Sequence, residues 1–261
     1  MILDKILASK ARELERLKAN EPLDVLERKI SDAPPTRGFR SQLQNARPFA
    51  VIAEVKYRSP SAGVIREDFE PLAIARSYAV GGATAISVLT DAEFFGGSFL
   101  YLRAIRERLE TPLLCKDFVI DRYQLLLARH FGADAVLLIV AALDDERLRA
   151  LHGEARELGL DVLVEVHDAD ELRRAVDLGA DLIGVNNRNL KTFQVTTETS
   201  LGLIGMIPEG VLVVSESGIS DPRTIRHLRQ AGFRAFLVGE HLMRAESPGH
   251  ELEVLLKRGA L

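Results

Sequence analysis

The chain has 261 residues, 47% hydrophobic and 28% charged, enough to bury a sizeable core in one large domain or two small ones. Collagenous, disordered and membrane-spanning classes do not fit this balance. Lys+Arg total 34 against 38 Asp+Glu, a formal charge of -4, which argues against a nucleic-acid partner and confines any basic site to a local cluster. Cys115, the one cysteine, has no partner for an intrachain disulfide. The opening MILDKILASKARELERLKA is charged throughout, unlike a signal peptide, and no run approaches ~18 uncharged apolar residues, so a cytosolic protein with no membrane partner is expected. Protein partners stay open.

Taken in chain order, Leu3, Ile6, Leu7, Ala11, Leu14 and Leu17 form an amphipathic helical stripe, and Leu23–Ile30 begins a second helix. DAPPTRGF (32–39) is too rich in proline and glycine for a helix and serves as a connector. From Pro48 onward one theme repeats: a short apolar run, a polar or glycine-rich break, then apolar residues at three- and four-residue spacing. The runs are Phe49–Lys56, Ala83–Thr90, Pro112–Phe118, Ala135–Leu143, Asp161–His167, Leu182–Asn187, Val211–Ser217 and Ala235–Gly239. They are near-continuously hydrophobic, as strands covered on both faces must be, which predicts a parallel sheet wrapped by helices. FGADAV (131–136), LGADLI (178–183) and AGFRAF (231–236) each place a glycine where a helix must stop before a strand starts.

Eight such units predict an α/β fold, a (β/α)8 TIM barrel with an N-terminal helical extension over 1–47, the whole of 1–261 forming one domain. An open doubly wound sheet is the competitor. It is disfavoured because no GxGxxG follows the first strand, and because polar residues end many strands and not only those near one switch point.

The active site of such a barrel lies at the C-terminal strand ends. FAVIAEVK puts Glu54 and Lys56 on one face by period-two geometry. PLLCKDF ends in Lys116 and Phe118, DVLVEVH carries Glu165, LIGVNNRNL carries Asn186 and Arg188, and VLVVSESG carries Glu216 and Ser217. A ring of rim ion pairs is the bland explanation for any one of these. It is a poor one for so many charges converging from several strands, since burying each costs several kcal/mol. Neighbouring lysines there are expected to have lowered pKa values and neighbouring carboxylates raised ones, supplying a general acid and a general base near neutrality.

Phosphate is the second signal. Ser217-Gly218-Ile219 precedes a helix start at Asp221-Pro222, and Val238-Gly239-Glu240 follows the eighth strand, so Gly218 and Gly239 are expected to let backbone N–H groups approach an anion. Ser59, in KYRSPSAG, offers a hydroxyl. Taken singly, both glycines are equally explained as turn residues. His130, His152, His167, His227, His241 and His250 lack metal-ligand spacing; no metal is expected, and they are read as solvated or helix-end residues. Cys115 should point toward the helices as an inert buried thiol. Phe95, with Phe118 and Leu137, is either an ordinary hydrophobic turn or one wall of an aromatic pocket.

These motifs resemble a known family. AEVKYRSPSAG (53–63), SVLTDAEFFGGS (87–98), LLCKDFVID (113–121), VLVEVHD (162–168), IGVNNRNLKTF (183–193), VSESGI (214–219) and VGEHLM (238–243) are similar to the indole-3-glycerol phosphate synthases, and the N-terminal helices fit that family's extension. The resemblance implies a substrate, 1-(2-carboxyphenylamino)-1-deoxyribulose 5-phosphate, closed to an indole with loss of carbon dioxide and water, without metal or organic cofactor. It implies Lys116 as the acid on the ketone oxygen and Lys56 as the cation meeting the substrate carboxylate. Glu54 and Glu165 complete the catalytic set, with Asn186, Arg188, Glu216 and Ser217 as further polar positions. Ser59, Gly218 and Gly239 match the phosphate site, and Phe95, Phe118, Leu137 and Leu190 the surroundings of the aromatic ring. A side chain at Gly239 is therefore expected to crowd the phosphate. Glu240 stands where some members carry serine, so its carboxylate must turn away from the anion.

Three alternatives remain at this point. A Schiff-base aldolase also begins from a lysine at a strand end, and borohydride trapping of Lys116 distinguishes it. A phosphoribosylanthranilate isomerase would lack the Glu54/Lys56 pair and the N-terminal helices. A non-catalytic phosphosugar-binding barrel would bind without turnover.

Overall fold

A computed structural model describes residues 2–30 and 33–261. Eight parallel strands close into a barrel: β1 (Ala50–Val55), β2 (Ala85–Leu89), β3 (Leu113–Lys116), β4 (Ala135–Ile139), β5 (Asp161–Val166), β6 (Leu182–Asn186), β7 (Leu212–Glu216) and β8 (Ala235–Val238). Closure is carried by β1, where Ile52 lies opposite Ala85 of β2 and Ala50 opposite Ala235 of β8. Every predicted run contains one of these strands, and the open doubly wound sheet is excluded by the ring. Gly132, Gly179 and Gly232, at the predicted helix stops, all have positive φ (93°, 82° and 121°), a conformation that carries no penalty without a Cβ.

Strand alternation sorts the core into two layers. Val51, Ala53, Ile86, Val88, Leu138 and Val164 face outward against the helices. Ala50, Ile52, Leu114, Leu137, Leu163, Val214 and Leu237 fill the barrel interior. Each full burial of a Leu, Ile or Val contributes about 1.5–3 kcal/mol. Because the period is two, the next inward residues toward the C-terminal ends are Glu54, Lys116, Glu165 and Glu216, so interior packing itself aims them at the mouth.

The extension departs from expectation in two places. Helices α1 (Ile2–Asn20) and α2 (Leu23–Ile30) form as predicted, and Leu14 and Leu26 pack on Tyr123, Leu126 and Leu127 of a barrel helix. Ala11, however, is exposed, and the neighbouring Lys10 is buried in its place, because the helix turns a charged residue toward acidic partners at the barrel mouth. The predicted connector ends sooner than expected. Phe39 opens a further helix, α3 (Phe39–Asn45), which plugs the lower end of the barrel with Phe39 and Leu43, while Asp32, the connector's first residue, lies outside the described residues. Asp161 accepts the backbone N–H of Arg40 at 2.8 Å and so helps to fix that helix.

Candidate active site

The C-terminal strand ends enclose a cavity of about 440 Å³. Every residue assigned to the site from sequence lines it: Glu54, Lys56, Lys116, Glu165, Asn186 and Glu216 among the polar set, Arg188, Ser217, Gly218, Gly239 and Ser59 around them, and Phe95, Phe118, Leu137 and Leu190 on the apolar side.

Lys116 is at the centre. Its Nζ lies 3.4 Å from Glu165 Oε2 and 3.3 Å from Glu216 Oε2, and both carboxylates are almost fully buried. Burial opposes the charge on Lys116, but Glu216, Glu165 and Glu54 outweigh it and hold its pKa above the ordinary lysine value. The lowered lysine pKa expected from sequence is therefore wrong for Lys116, since the carboxylates around it outweigh its burial. Burial likewise opposes ionisation of Glu165, yet Lys116, His167 and a hydrogen bond from Asn186 keep its pKa well below the usual carboxylate range. Glu216 goes the other way. Burial outweighs the pull of Lys116, and the nearby Glu165 and Glu54 add to it, pushing its pKa up to about 8. Among the described residues its Oε1 has no hydrogen-bond partner, and it lies over Gly184, where a Cβ would come within 2.1 Å.

Lys56 Nζ donates to Glu54 Oε1 at 2.5 Å, with Glu54 buried and Lys56 partly open to the cavity. Burial disfavours the Glu54 carboxylate, but Lys56 and Lys116 lower its pKa overall. Gly239 packs directly on this pair: a Cβ would sit 2.3 Å from Glu54 Oε1 and 3.1 Å from Lys56 Nζ. The glycine is thus required by the carboxylate as well as being available to an anion, a constraint that sequence reasoning did not anticipate.

On the side expected to take the phosphate, Ser217 and Gly218 have consecutive positive φ values of 64° and 75°. Asn187 holds this turn, donating from Nδ2 to Ser217 O (3.1 Å) and Ser215 Oγ (3.0 Å) while its Oδ1 accepts from Ser200. Ser59 Oγ accepts the Ala62 N–H at 3.2 Å, closing its own loop. Glu240 lines the cavity; Arg244 Nε and Nη2 lie 3.0 and 2.9 Å from its Oε1, and Arg188 Nη2 lies 3.9 Å from its Oε2.

Sequence reasoning missed three supports of the site. Lys10 is 2% exposed, with Nζ 2.9 Å from both Asp91 and Asp117 and 2.7 Å from Glu13. Asp91 accepts the N–H groups of Phe94 and Phe95, and Asp117 that of Phe118, so α1 is tied to both loops of the aromatic wall, whose rings lie 5.9 Å apart. Ile2, Leu3 and Ile6 of the same helix complete the cavity. Asn187 is the second support. His167 is the third and corrects the solvated reading: its side chain is buried between Glu165 and Glu171. Cys115 is the inert thiol expected, buried in the outer layer with its pKa pushed up to about 12 by burial.

A family model for indole-3-glycerol phosphate synthase matches residues 3–255. The chain belongs to the indole-3-glycerol phosphate synthase family. It is accordingly a carboxy-lyase of tryptophan biosynthesis, and it converts 1-(2-carboxyphenylamino)-1-deoxy-D-ribulose 5-phosphate to indole-3-glycerol phosphate. Solved structures similar in fold include a thiamine phosphate pyrophosphorylase from Pyrococcus furiosus, at 18% identity and TM-score 0.60 over 80% of this chain and 95% of that one. A 3-hexulose-6-phosphate synthase from Salmonella typhimurium matches at 16% identity and TM-score 0.61, over 80% and 99%. Orotidine 5'-phosphate decarboxylase from Pyrococcus horikoshii OT3 matches at 13% identity and TM-score 0.61, over 80% and 98%. At these identities the likeness concerns the barrel alone, and the synthase assignment rests on the family match. Among the described residues, no helix is long and apolar enough to cross a membrane.

Proposed function

We propose that Lys116 is the general acid of ring closure, and the observation that carries this is its position between two buried carboxylates with its proton held firmly. The ring carbon bearing the carboxylate attacks the ketone carbon, and the ketone oxygen takes the Lys116 proton. The C–CO2 bond then breaks, its electron pair restoring the aromatic ring. In the last step the new hydroxyl leaves as water after protonation, and the methylene beside nitrogen gives a proton to a carboxylate. Glu165, held ionised, suits that base; Glu216, protonated up to about pH 8, suits a donor. A lysine with a raised pKa is a poor Schiff-base nucleophile, which disfavours aldolase chemistry.

Lys56, open to the cavity beside Glu54, is positioned to meet the substrate carboxylate, while Phe95, Phe118, Leu137 and Leu190 hold the ring and Ser59, Gly218 and Gly239 receive the phosphate. Arg188, Asn186 and Ser217 orient what lies between. Folding the substrate back on itself is where binding energy is spent: well-oriented intramolecular reactions gain about 7–11 kcal/mol. We further infer a cytosolic enzyme that works as one domain, without nucleic-acid or membrane partners.

The test is to add the carboxyphenylamino-deoxyribulose phosphate to purified protein and follow indole fluorescence, which no tryptophan of the chain masks. A chelator-insensitive rise that Lys116→Met abolishes, with substrate binding retained, is expected. Near-normal turnover by the lysine variant overturns the assignment of the acid.

A further inference from the structure

His167 follows β5 and is not among the residues lining the cavity; it stands behind Glu165. Its Nε2 lies 3.2 Å from Glu165 Oε1, the oxygen not directed at Lys116, and its Nδ1 lies 3.0 Å from Glu171 Oε2. The same Glu171 oxygen accepts the backbone N–H of His167 at 2.8 Å. Glu171 is itself fixed, because it occupies the first turn of α4 (Ala169–Leu178), whose N-cap Asp168 accepts the Glu171 N–H at 2.9 Å. This is a variant of the capping box in which the glutamate reaches one residue further back and grips an imidazole as well as a backbone donor. The local sequence His167-Asp168-x-x-Glu171 therefore builds a rigid clamp from a helix cap.

We propose that His167, gripped by Glu171, is a positioning residue that fixes one oxygen of Glu165 so that the other meets Lys116 in the ionised form. This rests on the base role assigned to Glu165 above. Two carboxylates flank the imidazole; burial opposes its charge, but the closeness of Glu165 and Glu171 outweighs that and pushes its pKa up to about 10, so it meets Glu165 as a cation. Glu165 is faced from the other strands by Lys116, by Asn186 and, at longer range, by the carboxylates of Glu54 and Glu216. Without His167, Lys116 and the Asn186 hydrogen bond must hold Glu165 ionised against burial and the Glu54 carboxylate. The pKa of Glu165 then rises, and the acid limb of the pH profile moves to higher pH.

The experiment measures kcat and KM against pH for His167→Phe, His167→Gln, Glu171→Gln and Glu165→Gln, with thermal unfolding of each. The expected result for His167→Phe is a kcat loss of about tenfold or more with KM changed by no more than about threefold, and an acid limb displaced upward. His167→Gln, which can present an amide N–H in place of Nε2, recovers most of kcat, and Glu171→Gln shifts the limb in the same direction by less. Glu171→Gln preserves the volume of a partly open side chain, so it carries the test even if the phenylalanine variant fails to fold. An unmoved acid limb in both His167→Phe and Glu171→Gln overturns the proposal, as does a kcat loss that His167→Gln does not relieve. If Glu165→Gln abolishes turnover while His167→Phe and Glu171→Gln keep native kcat and an unmoved acid limb, the clamp alone fails. If Glu165→Gln turns over normally, the base assignment and the clamp fall together.

Discussion

The two ends of the barrel treat buried charge in opposite ways. At the lower end, Asp134 is fully buried and satisfied: Oδ1 accepts Arg37 N–H and Arg106 Nη1, each at 2.7 Å, and Oδ2 accepts Leu113 N–H at 2.7 Å. At the mouth, Glu216 is just as buried, yet among the described residues its polar partner Lys116 stands 3.3 Å away and Oε1 has none. A carboxylate whose lone pairs are filled by its own chain stabilises the fold and has nothing to offer a ligand. One left short of partners costs stability and remains available for proton transfer. The contrast follows the general division of such barrels, with stability built at the lower face and chemistry at the upper one.

The largest expected effect is at the mouth. Lys116→Met should lower kcat by about a hundred- to ten-thousand-fold, the usual worth of a positioned acid, with substrate affinity changed only a few-fold. Single-turnover indole fluorescence alongside equilibrium binding checks this. At the lower end the converse holds. Asp134→Ala strips three donors of their acceptor and should cost about 3–5 kcal/mol of stability, or roughly 2–4 °C of Tm per kcal/mol, with kcat per folded molecule unchanged. Chemical denaturation and active-site titration separate the two quantities, and a tenfold fall in kcat would break the division between the ends.

Gly239 sharpens the comparison, because it belongs to the proposed phosphate loop and also packs on the Glu54/Lys56 pair. If its role were only to admit phosphate, Gly239→Val would raise KM and spare kcat. A Cβ 2.3 Å from Glu54 Oε1 must instead displace the carboxylate, so kcat should fall at least as far as KM rises, by about tenfold. Steady-state kinetics with the intact substrate, beside inhibition by inorganic phosphate, distinguish the outcomes.

The same contrast explains what was legible in the sequence. Strand alternation is a local property, so FAVIAEVK, DVLVEVH and VLVVSESG announced both the barrel and the inward carboxylates at its mouth. The family resemblance supplied the individual roles, which period-two geometry alone left open. Hidden from it were features that depend on what a residue meets after folding. Lys10 sits beside the apolar stripe of an amphipathic helix like any surface lysine, and only the approach of Asp91 and Asp117 buries it. Phe39 and Leu43 give too short an apolar pattern to reveal the plug that α3 forms. His167 has no metal-ligand spacing and reads as a solvated histidine, although the Asp168-x-x-Glu171 cap beside it is a readable local signal.

The smallest effect tests the energetic side of the comparison. Glu216 has its pKa raised from 4.5 to about 8, so it binds a proton on folding at intermediate pH. A raised folded-state value gives stability that is fully present below about pH 4.5 and is lost as pH rises through about 8. Glu165, whose pKa is lowered, works in the opposite sense and at the acid end, losing its contribution as pH falls, so the two do not overlap between pH 5 and 8. Glu216→Gln removes the first dependence. The variant should match or trail the native chain near pH 5 and gain on it steadily toward pH 8, with kcat reduced throughout. Denaturant midpoints measured across that range show it, and a difference that stays flat with pH would mean that Glu216 is as well satisfied at the mouth as Asp134 is below.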